Sequence, residues 1–192
     1  METSQILYKR CNTQEEILGI LKLQKKNLFS TITQEQSKAD GFLTCTHTMD
    51  LLEKWNEITP HIIAIKNKTV LGYLLGMPSE ASEDMPILRP MFQMFDEVEY
   101  NDKTISSYNY IVVGQVCIAK EYRGKGLLYN LYQLYLKVYK YKFDFAITEI
   151  AARNKRSLQA HLNNGFKQIF QYRSSEGEEW CIVILDWNKK IG

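Results

Sequence analysis

The sequence has no long apolar run, no basic-then-apolar leader, no Gly/Ser-rich linker and no internal repeat. No stretch approaches the roughly 20 apolar residues that span a bilayer, so no membrane partner is expected. The polar start, Met1-Glu2-Thr3-Ser4-Gln5, is unlike a signal peptide, and the cytoplasm is the expected compartment. Without linkers, residues 1–192 read as a single domain with enough chain for a full hydrophobic core. Histidine is scarce: His47, His61 and His161 are scattered, so no metal site is expected. The four cysteines (Cys11, Cys45, Cys117, Cys181) form no closely spaced metal-type pair and read as reduced, buried, small hydrophobes. Neither sign of charge dominates: 24 Lys and Arg face 22 Asp and Glu, and the basic residues are dispersed along the chain. That balance gives no nucleic-acid footprint. Lys137, Lys140 and Lys142 cluster near a predicted helix end, where cations are favoured.

What is present is a mixed α/β pattern. Gln5 to Cys11 reads as a first strand. Thr13 with Glu16 is a capping box opening a helix through about Leu28, with Ile17, Ile20, Leu21 and Leu28 near helical spacing. Thr33 with Gln36 predicts a short helix through Asp40, and Thr48 caps a third over Met49 to Ile58. His61 to Lys66 and Thr69 to Gly76 form a hairpin around Asn67-Lys68. Three of the four prolines (Pro78, Pro86, Pro90) then interrupt the pattern. Residues 78–107 read as irregular with one helix near Arg89 to Glu97. Two roles stay open for this segment, a substrate-facing lid or a surface excursion covering Met91, Phe92 and Phe95.

Tyr108 to Ala119 is the strongest strand signal, rich in Val, Ile and Tyr. A helix from about Gly126 to Tyr141 places Leu127, Leu131, Leu134 and Val138 on one face. Tyr129, Tyr132, Tyr135 and Tyr139 run along the same helix and read as packing or a subunit contact. Asp144 to Ile150 is the next strand, and the strand-helix-strand order implies a right-handed crossover and a parallel pair. Asn154 to Asn164 is a helix stopped by Gly165. Phe166 to Arg173 and Glu179 to Trp187 form the last hairpin.

The segment that carries chemistry joins the strong strand to the strong helix: Val116-Cys117-Ile118-Ala119-Lys120-Glu121-Tyr122-Arg123-Gly124-Lys125-Gly126-Leu127-Leu128. Gly124 and Gly126 permit close backbone approach to a ligand. The amides from Gly124 to Leu128 enter a helix whose first turn has unsatisfied donors, an arrangement that binds phosphate. Arg123 and Lys125 add positive charge. The segment lacks the Gly-Lys-Ser/Thr ending of a nucleotide-binding loop and the third glycine of the dinucleotide fingerprint. By itself it leaves a phosphate site and a plain structural turn both open.

Arg123-Gly124-Lys125-Gly126-Leu127-Leu128 resembles the Arg/Gln-x-x-Gly-x-Gly/Ala motif of the GNAT superfamily of N-acetyltransferases. Downstream, Asn154-Lys155-Arg156-Ser157 and His161-Leu162-Asn163-Asn164-Gly165-Phe166 resemble that family's Asn-x-x-Ser … Tyr-x-x-x-Gly-Phe helix. The two blocks stand in the family's order, within residues 108–170. The resemblance implies an α/β (α+β) fold: a mixed central sheet of about seven strands, a splayed parallel pair in the middle, and helices on both faces. It also implies acetyl-CoA as co-substrate, a CoA-binding core over about 108–170, and an amine acceptor. The cofactor-binding residues would be Val116, Cys117, Ile118, Arg123, Gly124, Lys125, Gly126, Leu127, Leu128, Asn154, Ser157 and His161. There are two departures: Leu128 stands where glycine or alanine is usual, and His161 where tyrosine is common.

The reaction implied is attack of a neutral amine on a thioester. It needs a base, an oxyanion donor and a proton for the leaving thiolate. A backbone amide near Cys117 or Ile118 is the expected oxyanion donor. His161, seven residues after Asn154 and on the same helix face, is the candidate acid. The base is harder to find, because Tyr110 to Gln115 carries no carboxylate. Glu149, Glu83 and Asp84 are the candidates, and a water chain is the alternative. Cys117 reads as a backbone contributor, with an acyl-cysteine role as the alternative. A CoA-binding sensor without turnover and a nucleotide-phosphate binder are the competing function classes. Glu80, Glu83 and Asp84 hint at a cationic acceptor. The resemblance admits a homodimer.

Overall fold

The computed structural model describes residues 5–28, 43 and 45–188. The short helix expected around Thr33 to Asp40 lies outside them. The elements are β1 (Leu7–Arg10), α1 (Gln14–Lys25), α2 (Met49–Ile58), β2 (Ile62–Lys66), β3 (Thr69–Met77), α3 (Ala81–Asp84), α4 (Arg89–Glu97), β4 (Glu99–Tyr100), β5 (Lys103–Thr104), β6 (Tyr110–Ile118), α5 (Leu127–Tyr139), β7 (Phe145–Ala151), α6 (Lys155–Leu162), β8 (Lys167–Arg173) and β9 (Glu179–Leu185). Seven strands are hydrogen-bonded in the order β1-β2-β3-β6-β7-β9-β8. The β6–β7 pair is parallel, and its register covers Tyr110–Val112 against Phe145–Ile147. The pairs β1–β2, β2–β3, β7–β9 and β8–β9 are antiparallel. This is the mixed sheet expected from the order of elements. The chain divides into two compact units, Met1–Gly76 with Val113–Val138, and Met77–Val112 with Tyr139–Gly192.

In the first unit, Thr13 caps α1 by accepting from the Glu16 amide at 3.2 Å, and Thr48 caps α2 by accepting from the Leu51 amide at 3.3 Å. Each cap satisfies one of the orphan donors of a first helical turn. Helix α1 ends at Lys25, three residues short of the expectation, because Asn27 folds back: its amide donates to the Gln24 carbonyl and its side chain to the Leu23 carbonyl. Leu28 instead bridges Leu43. Asn67 and Lys68 both have positive φ, 49° and 61°, which is the tight hairpin geometry anticipated from their sequence. In β3, Ile65 faces Val70 while Ala64 faces Gly72, so Leu71 is the extra residue of a bulge. A bulge reverses the side-chain alternation beyond it. Val70 and Tyr73 therefore face α1, through Gly19 and Gln24, while Gly72 faces the start of α5.

Helix α5 turns a different stripe to the core than its leucine spacing implies. Leu127, Leu131, Tyr132, Tyr135 and Tyr139 are buried, while Leu134 and Val138 are half-buried and Tyr129 is exposed. Three of the four tyrosines carry the packing. The aromatic rings bury more area than the two leucine-face positions they displace.

In the second unit, residues 78–107 are ordered rather than irregular. They hold α3, a 3₁₀ turn at Pro86–Leu88, α4 and the β4–β5 hairpin, whose Asn101 and Asp102 have positive φ. Helix α4 buries Met91 and Phe95, and Phe95 meets the Tyr110 ring edge-on. That is the apolar-covering role, achieved with regular structure. Helix α6 is capped by Asn154 and closed at Gly165, whose φ is 92°. Among the described residues, no helix is long and apolar enough to cross a membrane, and no group of three or more His, Cys, Asp or Glu is placed to hold a metal ion.

Candidate functional site

The glycine turn forms as its sequence suggests. Gly124 and Gly126 have φ of +71° and +77°, a region in which side chains with a Cβ are strained. A Cβ at either position would meet nothing within 4 Å. The space before the turn is therefore open, and the glycines are required by backbone conformation rather than by crowding. The Gly126 carbonyl accepts from the Asn130 amide and opens α5. Among the described residues, the amides of Gly124, Lys125 and Gly126 donate to no backbone acceptor. An exposed glycine turn at a helix start fits a pyrophosphate.

Arg123 does not project freely as a phosphate-binding charge. Its Nε donates to the Ile118 carbonyl at 3.0 Å and its Nη2 to Asn27 Oδ1 at 2.6 Å. The guanidinium thus latches the turn to the end of β6 and to the segment after α1. Lys125 is exposed, with its ammonium 5.9 Å from the centre of the Tyr122 ring. Leu127 is buried and Leu128 half-buried. The residue that seats this corner was missed in the sequence. A Cβ on Gly72 of β3 would lie 2.6 Å from Ile118 Cδ1 and 2.9 Å from Leu127 Cδ2. A glycine inside a strand pattern was the available signal. The basic residues also prove less dispersed in space than along the chain. Lys22, Lys26, Lys66, Lys68 and Lys120 line a cleft of about 1120 Å³ beside Arg123.

Val116 and Ile118 are half-buried and Cys117 is buried. Burial pushes the Cys117 thiol up to about 12, so at neutral pH it is not a thiolate. The acyl-cysteine alternative loses its nucleophile. Gln115, two residues earlier, centres a buried polar network not anticipated from sequence. Its Oε1 accepts from Tyr73 at 2.6 Å and from Gln24 at 2.7 Å, and its Nε2 donates to the Cys45 carbonyl at 2.9 Å. Gln24 also donates to His47 Nδ1 at 2.8 Å and accepts from the His47 amide. Every polar atom named is paired, which is what lets such groups stay buried.

In the second unit, Asn154 and His161 share the inward face of α6 as expected, but their side chains serve the helix. Asn154 accepts from the Ser157 amide at 3.3 Å, as the N-cap. His161 Nδ1 lies 2.7 Å from the Ser157 carbonyl. A carbonyl only accepts, so Nδ1 carries the proton. The ring packs edge-on against Phe166, and the Phe166 amide returns to the His161 carbonyl. Burial pushes the His161 pKa down to about 4. Ring desolvation outweighs the Ser157 carbonyl contact and favours the neutral imidazole over the imidazolium expected as the acid.

Glu149 on β7 behaves differently. Burial pushes its pKa up to about 7, and the Tyr172 hydroxyl donates to its Oε2 and partly offsets that rise. Tyr172 comes from β8, a strand away, and was missed. Glu83 sits exposed on α3 and Asp84 is half-buried there, while Glu80 is exposed just ahead of them. The Glu149 carboxyl is thus moved toward neutrality by its burial on β7.

No family profile matches this chain. No curated protein matches it either. Solved structures do match in fold. A chain of the NatC complex, crystallised with Gag peptide and CoA, has a TM-score of 0.62 at 16% identity, with 95% of this chain and 98% of that chain covered. The ribosomal-protein-S18-alanine N-acetyltransferase of Escherichia coli gives 0.59 at 10% identity over 95% and 94%. An N-acetyltransferase of Staphylococcus aureus Mu50 gives 0.59 at 17% identity over 95% and 99%. At these identities the likeness speaks for architecture, and it extends over nearly the whole of each chain. The chain thus has the fold of the GNAT N-acetyltransferases.

Proposed function

We propose that this chain is an acetyl-CoA-dependent N-acetyltransferase that acylates a primary amine of a small molecule or protein. The observation that carries the reading is the Gly124–Leu128 turn: two left-handed glycines with open space before them, at a helix start, anchored by Arg123. CoA binding by structures of the same fold supports it, as in the CoA-bound NatC complex. Acetyl-CoA, when bound, supplies an acetyl group activated as a thioester. The turn's amides hold the pyrophosphate, and a β6 amide at Cys117 or Ile118 is the oxyanion donor. Asn154 and His161 hold α6 in shape through their bonds to Ser157.

Glu149 is the base in this reading. Its carboxylate takes a proton from the acceptor ammonium, leaving a neutral nitrogen. The nitrogen lone pair forms the C–N bond to the thioester carbonyl carbon. As the C–N bond forms the nitrogen loses its second proton to solvent, the C–S bond breaks with its electron pair on sulfur, and solvent returns a proton to the thiolate, giving a neutral amide and a free thiol. A carboxyl near neutrality suits this role, since it is part-ionised where it must accept a proton. His161 is neutral, and its Nδ1 proton is engaged by the Ser157 carbonyl. It orders α6 and is not the acid.

The test is release of free thiol from acetyl-CoA with a panel of a polyamine, an aromatic amine, free amino acids and peptides with free N-termini. Amine-dependent release, with mass spectrometry of the acetylated product, is the expected result. CoA binding without release on any amine would favour the sensor class, and tighter binding of ATP than of CoA would favour the nucleotide class.

A further inference from the structure

The register of the last three strands places Glu149 and Tyr172 on one face of the sheet. Glu149 stands opposite Ile182 of β9, Ile182 opposite Phe170 of β8, and Tyr172 opposite Trp180. Opposed residues of neighbouring strands share a face, so Glu149, Trp180, Ile182, Phe170 and Tyr172 lie together. Tyr172 reaches diagonally across β9 and its hydroxyl donates to Glu149 Oε2. The same-face neighbours on β9, Trp180 and Ile182, carry no ionisable group. Burial raises the pKa of this carboxyl and the Tyr172 hydroxyl lowers it. On α6, burial favours the neutral form of His161. The phenol itself is held protonated: burial and the adjoining carboxyl push its pKa well up. It is a fixed donor.

We propose that Tyr172 is a positioning residue for the base, fixing one oxygen of the Glu149 carboxyl and stabilising its ionised form so that the other oxygen receives the acceptor's proton. This rests on the acetyltransferase reading above. A hydroxyl that donates to a carboxylate favours the charged state. Removing it leaves Glu149 desolvated without compensation, and the carboxyl then ionises only at higher pH. The hydroxyl therefore sets the pH at which the base becomes active.

The test uses the full chain and the panel amine with the greatest thiol release. The pH dependence of kcat/KM is measured for wild type and for Tyr172→Phe, Glu149→Gln and Phe170→Leu, with CoA affinity measured alongside by calorimetry. The wild-type acidic limb is expected at a midpoint near 7. In Tyr172→Phe the midpoint rises by about one pH unit, so activity at pH 6.5 falls roughly tenfold while the high-pH plateau changes little. Glu149→Gln loses the limb. Phe170→Leu, on the same face and strand but outside the pair, leaves the midpoint in place, and CoA affinity is unchanged in all three. A midpoint unmoved in Tyr172→Phe, or moved equally in Phe170→Leu, overturns the proposal while leaving the acetyltransferase reading intact. Wild type that binds CoA but releases no thiol with any amine overturns both.

Discussion

Three buried histidines make the stability of this fold fall as the solution turns acidic, and the Glu149 carboxyl partly opposes them. Burial pushes His47, His61 and His161 down to about 4. In the unfolded chain each returns to about 6.5. Between roughly pH 4.5 and 6.5 the unfolded state therefore binds up to three protons that the folded state refuses. A depressed histidine contributes stability that is present above its unfolded pKa and lost as pH falls toward its folded pKa. Glu149 acts in the opposite sense. With its folded pKa raised to about 7, it holds a proton that the unfolded chain has released, and its contribution is lost as pH rises through about 7. The net difference is two protons. Each is worth about 1.4 kcal/mol per pH unit, giving a slope of about 2.7 kcal/mol per unit and about 5 kcal/mol over the window. That is a large share of the roughly 5–15 kcal/mol that holds a domain folded. Urea unfolding followed by tryptophan fluorescence at pH 5, 6 and 7, at matched ionic strength, measures it. His61→Gln should lower the slope by about one proton. A stability that is flat from pH 7 to 5, or that rises on acidification, would refute the burial argument.

Three further outcomes follow from packing and burial. Gly72→Ala forces a methyl to 2.6 Å from Ile118 Cδ1 and 3.2 Å from the Cys117 carbonyl. It should cost about 1–3 kcal/mol in urea unfolding and weaken CoA binding in calorimetry, because the start of α5 must shift. Alkylation of the native protein with iodoacetamide at pH 8, mapped by mass spectrometry, should label half-buried Cys45 ahead of the buried Cys11, Cys117 and Cys181. Cys117→Ala should retain thiol release within about threefold, since the residue supplies backbone rather than a nucleophile.

The parts of this structure that were legible in the sequence are those fixed by local chemistry. Thr13 and Thr48 cap their helices because a hydroxyl sits next to orphan amides. Asn67-Lys68 turns because the strand runs leave two residues between them. Gly124, Gly126 and Gly165 have positive φ where a turn or helix end requires it. What was not legible depends on contacts far apart in the chain. Arg123 finds Asn27, 96 residues away, and so becomes a latch rather than a free charge. Tyr172 reaches Glu149 only because β9 inserts between their strands, and β8 carries an irregularity between Gln168 and Phe170 that shifts its register. No pattern in residues 166–173 announces that shift. His161 was placed on the correct helix face. Its protonation state follows from the depth of burial and from the nearby Ser157 carbonyl, neither of which the spacing from Asn154 specifies. The tyrosines of α5 displaced the leucine stripe because both series fit a helical period and tertiary packing chose between them.

The central claim is that the Gly124–Leu128 turn binds CoA through its backbone. Calorimetric titration of CoA into wild type and Gly126→Glu tests it most directly. At Gly126 a Cβ would meet nothing within 4 Å, so the variant should stay folded with about 1 kcal/mol of backbone strain while placing bulk and negative charge where the pyrophosphate binds. The account predicts one CoA per wild-type chain and at least about 30-fold weaker binding in the variant, a loss of about 2 kcal/mol. Equal affinity in the two proteins, or no CoA binding by wild type, would contradict it.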